Sequence, residues 1–198
     1  MSKRLIVLLL VLVGVVFFFV GKKPVTHGPG EVAPDEPMQT GTDVAPFEFN
    51  GFRIIPLADF DLQARVLSKE RYRSGTEARL APWDIAFGWG PMSDESILEK
   101  IDISQSNRFY FWKVQEFPIP RRDIETHSAN MHLIPADDDI MDVLDDVRVG
   151  EILQLYGHLV RIEGPGGWHW KSSLTRNDTG SGACEVIYVS EASISEDY

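Results

Sequence analysis

The chain has 198 residues, 43% of them hydrophobic, with a single cysteine and a formal net charge of −11. This length supplies one ordinary hydrophobic core. A single cysteine excludes an internal disulfide. The acidic balance excludes a nucleic-acid partner held by a basic surface, because phosphates are bound by clustered lysine and arginine.

The first 23 residues have the pattern of a membrane segment. Leu5 to Val20 is uncharged and apolar, and basic residues flank it on both sides. As a helix it spans about 24 Å, close to the roughly 30 Å of a hydrocarbon core. Phe17 to Lys23 lacks the small residues that signal peptidase needs. We therefore expect residues 1–23 to be an uncleaved signal anchor, with a cleaved signal peptide as the alternative.

The charge beyond this anchor predicts where the rest of the chain lies. Residues 24–198 hold all 30 acidic residues and 15 of the 19 basic ones. The positive-inside rule keeps Lys3 and Arg4 in the cytoplasm, and a fold without disulfides suits bacterial export. The prediction is a single-pass protein of the bacterial inner membrane with a periplasmic C-terminal domain.

Residues 24–46 contain five prolines and almost no bulky apolar side chain. Such a composition buries too little surface to offset the entropy of ordering, which predicts a disordered tether. A single globular β-rich domain is expected over residues 47–192, followed by an acidic tail at 193–198.

The first half of this domain has strand patterns and one helix signal. Asn50-Gly51 between short alternating runs is a strong hairpin signal. Ser93 or Asp94 can cap a short helix that reaches about Ile101. Alternating or aromatic strand patterns lie at residues 62–68, 85–89 and 109–114.

The second half predicts one more helix and then strands. Asp137 to Asp139 place negative charge before a short helix at 140–144. Three β-rich runs follow, which suggest an antiparallel meander, at residues 151–162, 168–174 and 184–189. The fold class is therefore mainly β, a β-rich α+β domain. We expect about seven strands in an antiparallel sheet curled into a barrel or sandwich, with two short helices.

Asp178-Thr179-Gly180 matches the active-site triplet of aspartic proteases. Those enzymes place the aspartate after a buried hydrophobic strand and pair two such loops. Here the preceding residues 175–177 are polar, and no second triplet exists. Asn, Asp and Gly at these positions favour a tight turn between strands.

Cys184 is the candidate nucleophile of a hydrolase. The available bases are the histidines of the folded part, of which His132 is preferred; the others are His127, His158 and His169. A nucleophilic cysteine needs a lowered pKa, commonly from a helix N-terminus or an imidazolium. Residues 184–189 instead have the pattern of a strand start, so a buried core thiol is the simpler interpretation.

His127 and His132, with Asp137 to Asp139 downstream, raise the question of a metal site. Ligands on one element usually lie two or four residues apart, so that their side chains converge. A spacing of five converges on neither a strand nor a helix. No metal and no cofactor is therefore expected, and these histidines remain weak candidate ligands.

Trp168-His169-Trp170 is the candidate binding element. Trp168 and Trp170 project to the same face of a strand, where their rings could stack on sugars or peptide side chains. Burial in the core is the alternative. Asn130 and Arg176 complete the expected set of binding residues.

Three blocks resemble those of a family of small exported or membrane-anchored bacterial proteins. They are GWGPMS at 88–93, HSANMHLIPA at 127–136, and SSLTR with GACE at 172–176 and 182–185. The resemblance covers about residues 81–189 and implies no activity. It marks these blocks as the expected position of a site.

The favoured function is a membrane-tethered envelope domain that binds a protein partner or a glycan or peptide ligand without turning it over. The alternative is an envelope hydrolase that uses Cys184 with a histidine base, or a His/Asp metal site.

Overall fold

The computed structural model describes residues 23–175 and 184–195. Residues 1–22 of the predicted anchor, the Asp178-Thr179-Gly180 turn, Arg176 and the end of the acidic tail lie outside these described residues. Within the two described ranges, no helix combines the length and the apolar character needed to span a membrane.

The described residues form ten strands and four short α-helices. The strands are β1 (Met38–Thr40), β2 (Phe47–Phe49), β3 (Phe52–Arg71), β4 (Trp83–Gly88), β5 (Ile101–Ser106), β6 (Phe109–Val114), β7 (Ser128–Pro135), β8 (Ile152–Glu163), β9 (His169–Lys171) and β10 (Glu185–Ile194). The helices are α1 (Thr76–Leu80), α2 (Glu95–Leu98), α3 (Arg121–Thr126) and α4 (Asp138–Asp146). Two 3₁₀ turns lie at Gly90–Ser93 and Pro165–Gly167.

Five of the strands pair around a closed ring in the order β3, β4, β7, β10, β8 and back to β3. β3 closes the ring because its first part pairs with β8 and its last part with β4. Its register shifts at Pro56/Ala58 and at Val66/Ser68, and such bulges bend a strand and increase its twist. β1, β2 and β9 extend the ring into an eight-stranded sheet, and β5 and β6 form a separate two-stranded sheet.

The prediction of a β-rich fold is confirmed, but the sheet is mixed and not purely antiparallel. The predicted meander was wrong, because β8 lies between β9 and β10 in the sheet. β10 lies between β7 and β8, and it runs parallel to β7 and antiparallel to β8. The long connection through α4, β8 and β9 permits this parallel pairing, which a short turn cannot provide. Two helices were expected, whereas the described residues contain four.

The core fills the ring and continues on its outer face. Alternation along the strands directs Leu62, Phe87, Leu133 and Ile187 inward, and Leu144 of α4 joins the same cluster. Outside the ring, β2, β9 and the β5–β6 hairpin cover two further clusters of buried side chains. The barrel wall is therefore buried on both sides near the middle of β4, β7 and β10.

Residues 24–46, predicted as a tether, make main-chain hydrogen bonds to the barrel. The N–H of Val25 donates to the carbonyl of Val149 at 2.8 Å, and the N–H groups of Val32 and Ala33 donate to Ser93 Oγ at 3.1 Å. β1 pairs with Asp59–Asp61 of β3. The segment has few apolar side chains, and its order comes from main-chain hydrogen bonds to the barrel.

Candidate functional site

A group of buried polar side chains lies on the outer face of β4 and β7. Because Trp83 and Ile85 face the ring interior, the alternate residue Asp84 points outward. Asn130 and His132 lie on the same outer face of β7, beside β4. The tip of the β5–β6 hairpin covers them. We call this group the polar cluster, and its members are Asp84, Gln105, Arg108, Asn130 and His132.

Asp84 is the centre of the polar cluster and is only 1% exposed. Its Oδ1 accepts a hydrogen bond from Arg108 Nη1 and lies 2.9 Å from His132 Nδ1. The His132 contact is close but lacks hydrogen-bond geometry, since Nδ1 has no such partner among the described residues. Oδ2 also has none there. A buried carboxylate with one unpartnered oxygen is costly unless another donor reaches it.

Arg108 reaches the polar cluster from a strained hairpin turn. Asn107 and Arg108 both have positive φ angles, 52° and 69°, as a two-residue hairpin turn requires. Non-glycine residues at such angles cost about 1–3 kcal/mol and persist where their surroundings hold them. Arg108 Nη1 also donates to Ala81 O at 2.9 Å, and the guanidinium lies 3.9 Å from the centre of the Tyr72 ring.

Two amide side chains connect the hairpin to the barrel. Gln105 Nε2 donates to Asn130 Oδ1 at 2.6 Å, and Asn130 Nδ2 donates to Arg108 O at 3.1 Å. Gln105 Oε1 is buried and has no partner in the described part of the chain. Asn130, a predicted binding residue, therefore lies in the cluster and helps to hold the hairpin in place.

Cys184 lies beside the polar cluster at the start of β10 and is half-buried. Its Sγ is 3.9 Å from Asn130 Nδ2 and 4.0 Å from Arg108 O. The parallel register, with Glu185 opposite Met131, places Cys184 next to Asn130 and on the face that carries His132. These polar contacts come from an amide and a carbonyl, and a catalytic role for Cys184 stays a prediction.

Trp168, just before β9, and Trp170 of β9 lie over the same part of the barrel. The Trp168 and Trp170 rings are on one side of the strand, with centres 6.3 Å apart. Trp168 packs edge-on against Phe52 at 5.5 Å, and the Trp170 ring lies 4.8 Å from the ring of His132. Both are half-buried, whereas His169 points to solvent. Trp168 thus belongs to the core, and Trp170 lies against the polar cluster.

The other histidines lie elsewhere. His127 follows α3, and its Nδ1 is 2.9 Å from Asp123 O. His158 pairs with Asp59 at 2.9 Å on β8 and β3. Asp137 caps α4 by accepting from Ile140 N at 2.9 Å. Among residues 23–175 and 184–195, no three His, Cys, Asp or Glu side chains are grouped as a metal site would require.

Asp84, Gln105 and Arg108 were not among the site residues predicted from the sequence. Asp84 carried a signal, because it is a charged residue inside the apolar run Trp83-Asp84-Ile85-Ala86-Phe87, and a buried charge needs partners. Arg108 gave no such signal, since an arginine at a hairpin tip is usually solvated.

No protein-family model, curated protein or solved structure matches the chain. The chemistry of the polar cluster and its surroundings therefore carries the functional argument.

Proposed function

We propose that this protein is a membrane-tethered cell-envelope domain that binds a ligand at the polar cluster, beside Trp170, without chemical turnover. The observation that carries the proposal is the pair of buried acceptors, Asp84 Oδ2 and Gln105 Oε1, that have no donor among the described residues. Each such atom costs about 1–3 kcal/mol when unsatisfied. A ligand that brings N–H or O–H groups to these buried atoms, which requires the covering tip of the β5–β6 hairpin to move aside, recovers this free energy on binding.

The connectivity of the ring supports a binding role. A five-stranded Greek-key barrel, with β7 and β10 parallel and a helix between β7 and β8, has the strand order of the OB-fold. Barrels of that kind bind oligonucleotides or oligosaccharides on their second and third strands and the adjoining loops. Those strands are β4 and β7 here, and they carry the polar cluster.

Charge narrows the class of ligand. The net charge of −11 disfavours the phosphates of an oligonucleotide. Sugar hydroxyls and peptide amides are neutral donors, and the flat faces of Trp168 and Trp170 suit both. A glycan or peptide of the envelope is therefore the proposed ligand, and an envelope protein that presents such groups is an equivalent partner.

The cellular location is part of the same proposal. The apolar run from Leu5 to Val20 and the acidic excess beyond it support an inner-membrane anchor with the barrel in the periplasm.

One geometric observation favours hydrolysis as a second candidate. Asp84 Oδ1 lies 2.9 Å from His132 Nδ1, near the position of a carboxylate that orients a catalytic base, although the pair lacks hydrogen-bond geometry. Cys184 is on the same face. The binding role is preferred because Cys184 precedes the strand β10, and a strand start lacks the helix dipole that lowers the pKa of a nucleophilic thiol.

Peptidoglycan sacculi stripped of protein carry both sugars and peptides and provide the test. Full-length protein in detergent should co-sediment with them. Asp84→Asn should weaken this binding at least about tenfold, because the donor of the ligand loses the carboxylate oxygen that accepts its hydrogen bond. Asp102→Asn, on the exposed face of β5, is the matched control. Absence of co-sedimentation, or equal binding by both variants, would refute the proposal.

A further inference from the structure

A groove lies at the end of the barrel where the N-terminal segment docks, away from the polar cluster. Its volume is about 200 Å³, which is space for about seven water-sized groups at roughly 30 Å³ each. Its apolar lining includes Pro24, Val25, Leu98, Ile103 and Val149. We call it the N-terminal groove.

Arg65 lines the groove with a buried and incompletely paired guanidinium. The residue is 3% exposed. Its Nη1 donates to Ser93 O at 3.0 Å, and its Nη2 donates to Glu95. Its Nε is buried and has no hydrogen-bond partner in the described part of the chain. The groove therefore combines apolar walls with one donor that lacks an acceptor.

The charge of Arg65 is already balanced. Burial acts to raise the pKa of Glu95, but hydrogen bonds from the His27 N–H and from Arg65 lower it below its usual value, so Glu95 is ionised at neutral pH. The Arg65–Glu95 pair is thus neutral. An anionic head group would meet the Glu95 carboxylate, whereas a neutral carbonyl oxygen accepts from Nε without that repulsion.

The groove is also near the predicted anchor. Val25 is fixed to the barrel through Val149 O and follows the apolar run by five residues. Five extended residues reach at most about 18 Å. This end of the barrel therefore lies close to the bilayer wherever residues 5–20 span it, which the proposed function assumes.

From these observations we infer that the N-terminal groove binds one acyl chain of a membrane phospholipid, with the ester carbonyl accepting a hydrogen bond from Arg65 Nε. The apolar lining contacts the first methylene groups of the chain. The barrel is thereby held against the membrane in one orientation. This inference rests on the membrane anchoring in the proposed function and is independent of the ligand at the polar cluster.

The test places the full-length protein in nanodiscs of phosphatidylethanolamine and phosphatidylglycerol that contain a phosphatidylcholine with a diazirine near the start of one acyl chain. After irradiation, mass spectrometry locates the labelled residues. We expect the label on Leu98, Ile103 and Val25, and little label on Phe111, an exposed side chain of β6.

Two variants sharpen the test. Arg65→Lys keeps the charge opposite Glu95 but removes Nε–H, and should lower groove labelling about fivefold, as expected for one lost hydrogen bond. Ile103→Gln makes the groove wall polar and should lower groove labelling by a similar factor. Ser104→Gln, on the exposed face of the same strand, should leave it unchanged.

The possible failures are distinguishable. Protein that does not co-purify with nanodiscs overturns the anchoring and this inference together. Protein that co-purifies but carries as much label on Phe111 as on Ile103 overturns the inference alone. Photolabel that remains in the groove at full yield in Arg65→Lys overturns the role of Nε.

Discussion

Arg108→Met tests the central electrostatic claim, that Arg108 compensates the buried charge of Asp84. The substitution keeps an apolar stem but removes the bonds to Asp84 Oδ1 and Ala81 O and the contact with the Tyr72 ring. Breaking a buried ion pair from one side typically costs about 3–5 kcal/mol. Because the Arg108 side chain is 19% exposed, we expect a loss of unfolding free energy at the lower end of this range, about 3 kcal/mol.

The assay is urea unfolding of the full-length protein in detergent, followed by tryptophan fluorescence. Arg161→Met is the control, since the Arg161–Glu163 pair is nearly half exposed on both sides and should contribute less than about 1 kcal/mol. Adding Asp84→Asn to Arg108→Met should cost less than the sum of the single changes, because the buried charge is then absent. Equal losses for Arg108→Met and Arg161→Met, or strict additivity, would refute the reasoning.

Three further predictions use the same unfolding assay. Trp168→Ala should lower the free energy of unfolding by about 2 kcal/mol, because Trp168 is only half-buried against Phe52, whereas loss of a fully buried aromatic ring costs about 3–5 kcal/mol. An unchanged urea midpoint would place the Trp168 ring outside the core. Burial raises the pKa of Tyr110 to about 12, so its phenol adds stability below pH 10 that is lost as pH rises towards 12. In Tyr110→Phe the free energy of unfolding should fall less steeply with pH. The same dependence on pH in both proteins between about pH 9.5 and 11.5 would contradict the prediction. Gly157→Ala should prevent folding, since its Cβ would lie 2.0 Å from Tyr188 O, whereas Gly41→Ala meets nothing; a soluble, folded Gly157→Ala protein would show that β8 and β10 can separate there.

Local signals in the sequence predicted local structure well. The Asn50-Gly51 hairpin forms with φ angles of 50° and 80°, because both residues tolerate the left-handed region that the turn needs. Asp94 and Asp137 cap α2 and α4 as their positions indicated. Each of these features depends on residues that lie a few positions apart in the sequence.

Features that depend on distant residues were not predictable in the same way. Alternation in β10 identifies a strand but cannot show that its neighbour is β7 and that the pair is parallel. The composition of residues 24–46 indicates how little apolar surface the segment can bury by itself. It does not indicate which hydrogen bonds the segment can form with the barrel. The polar cluster joins Asp84 to Arg108, 24 positions later, so no spacing rule could find it.

The double pairing of β3 determines the order in which the protein can fold. Arg53 pairs with Glu163, so the first half of the longest strand has no barrel neighbour on that side until β8 has been synthesised. Until then its main-chain donors and acceptors form an open edge, which is where chains associate with one another. Non-local pairing of this kind is slow. A chain that crosses a membrane behind an N-terminal anchor therefore exposes this edge until β8 has followed.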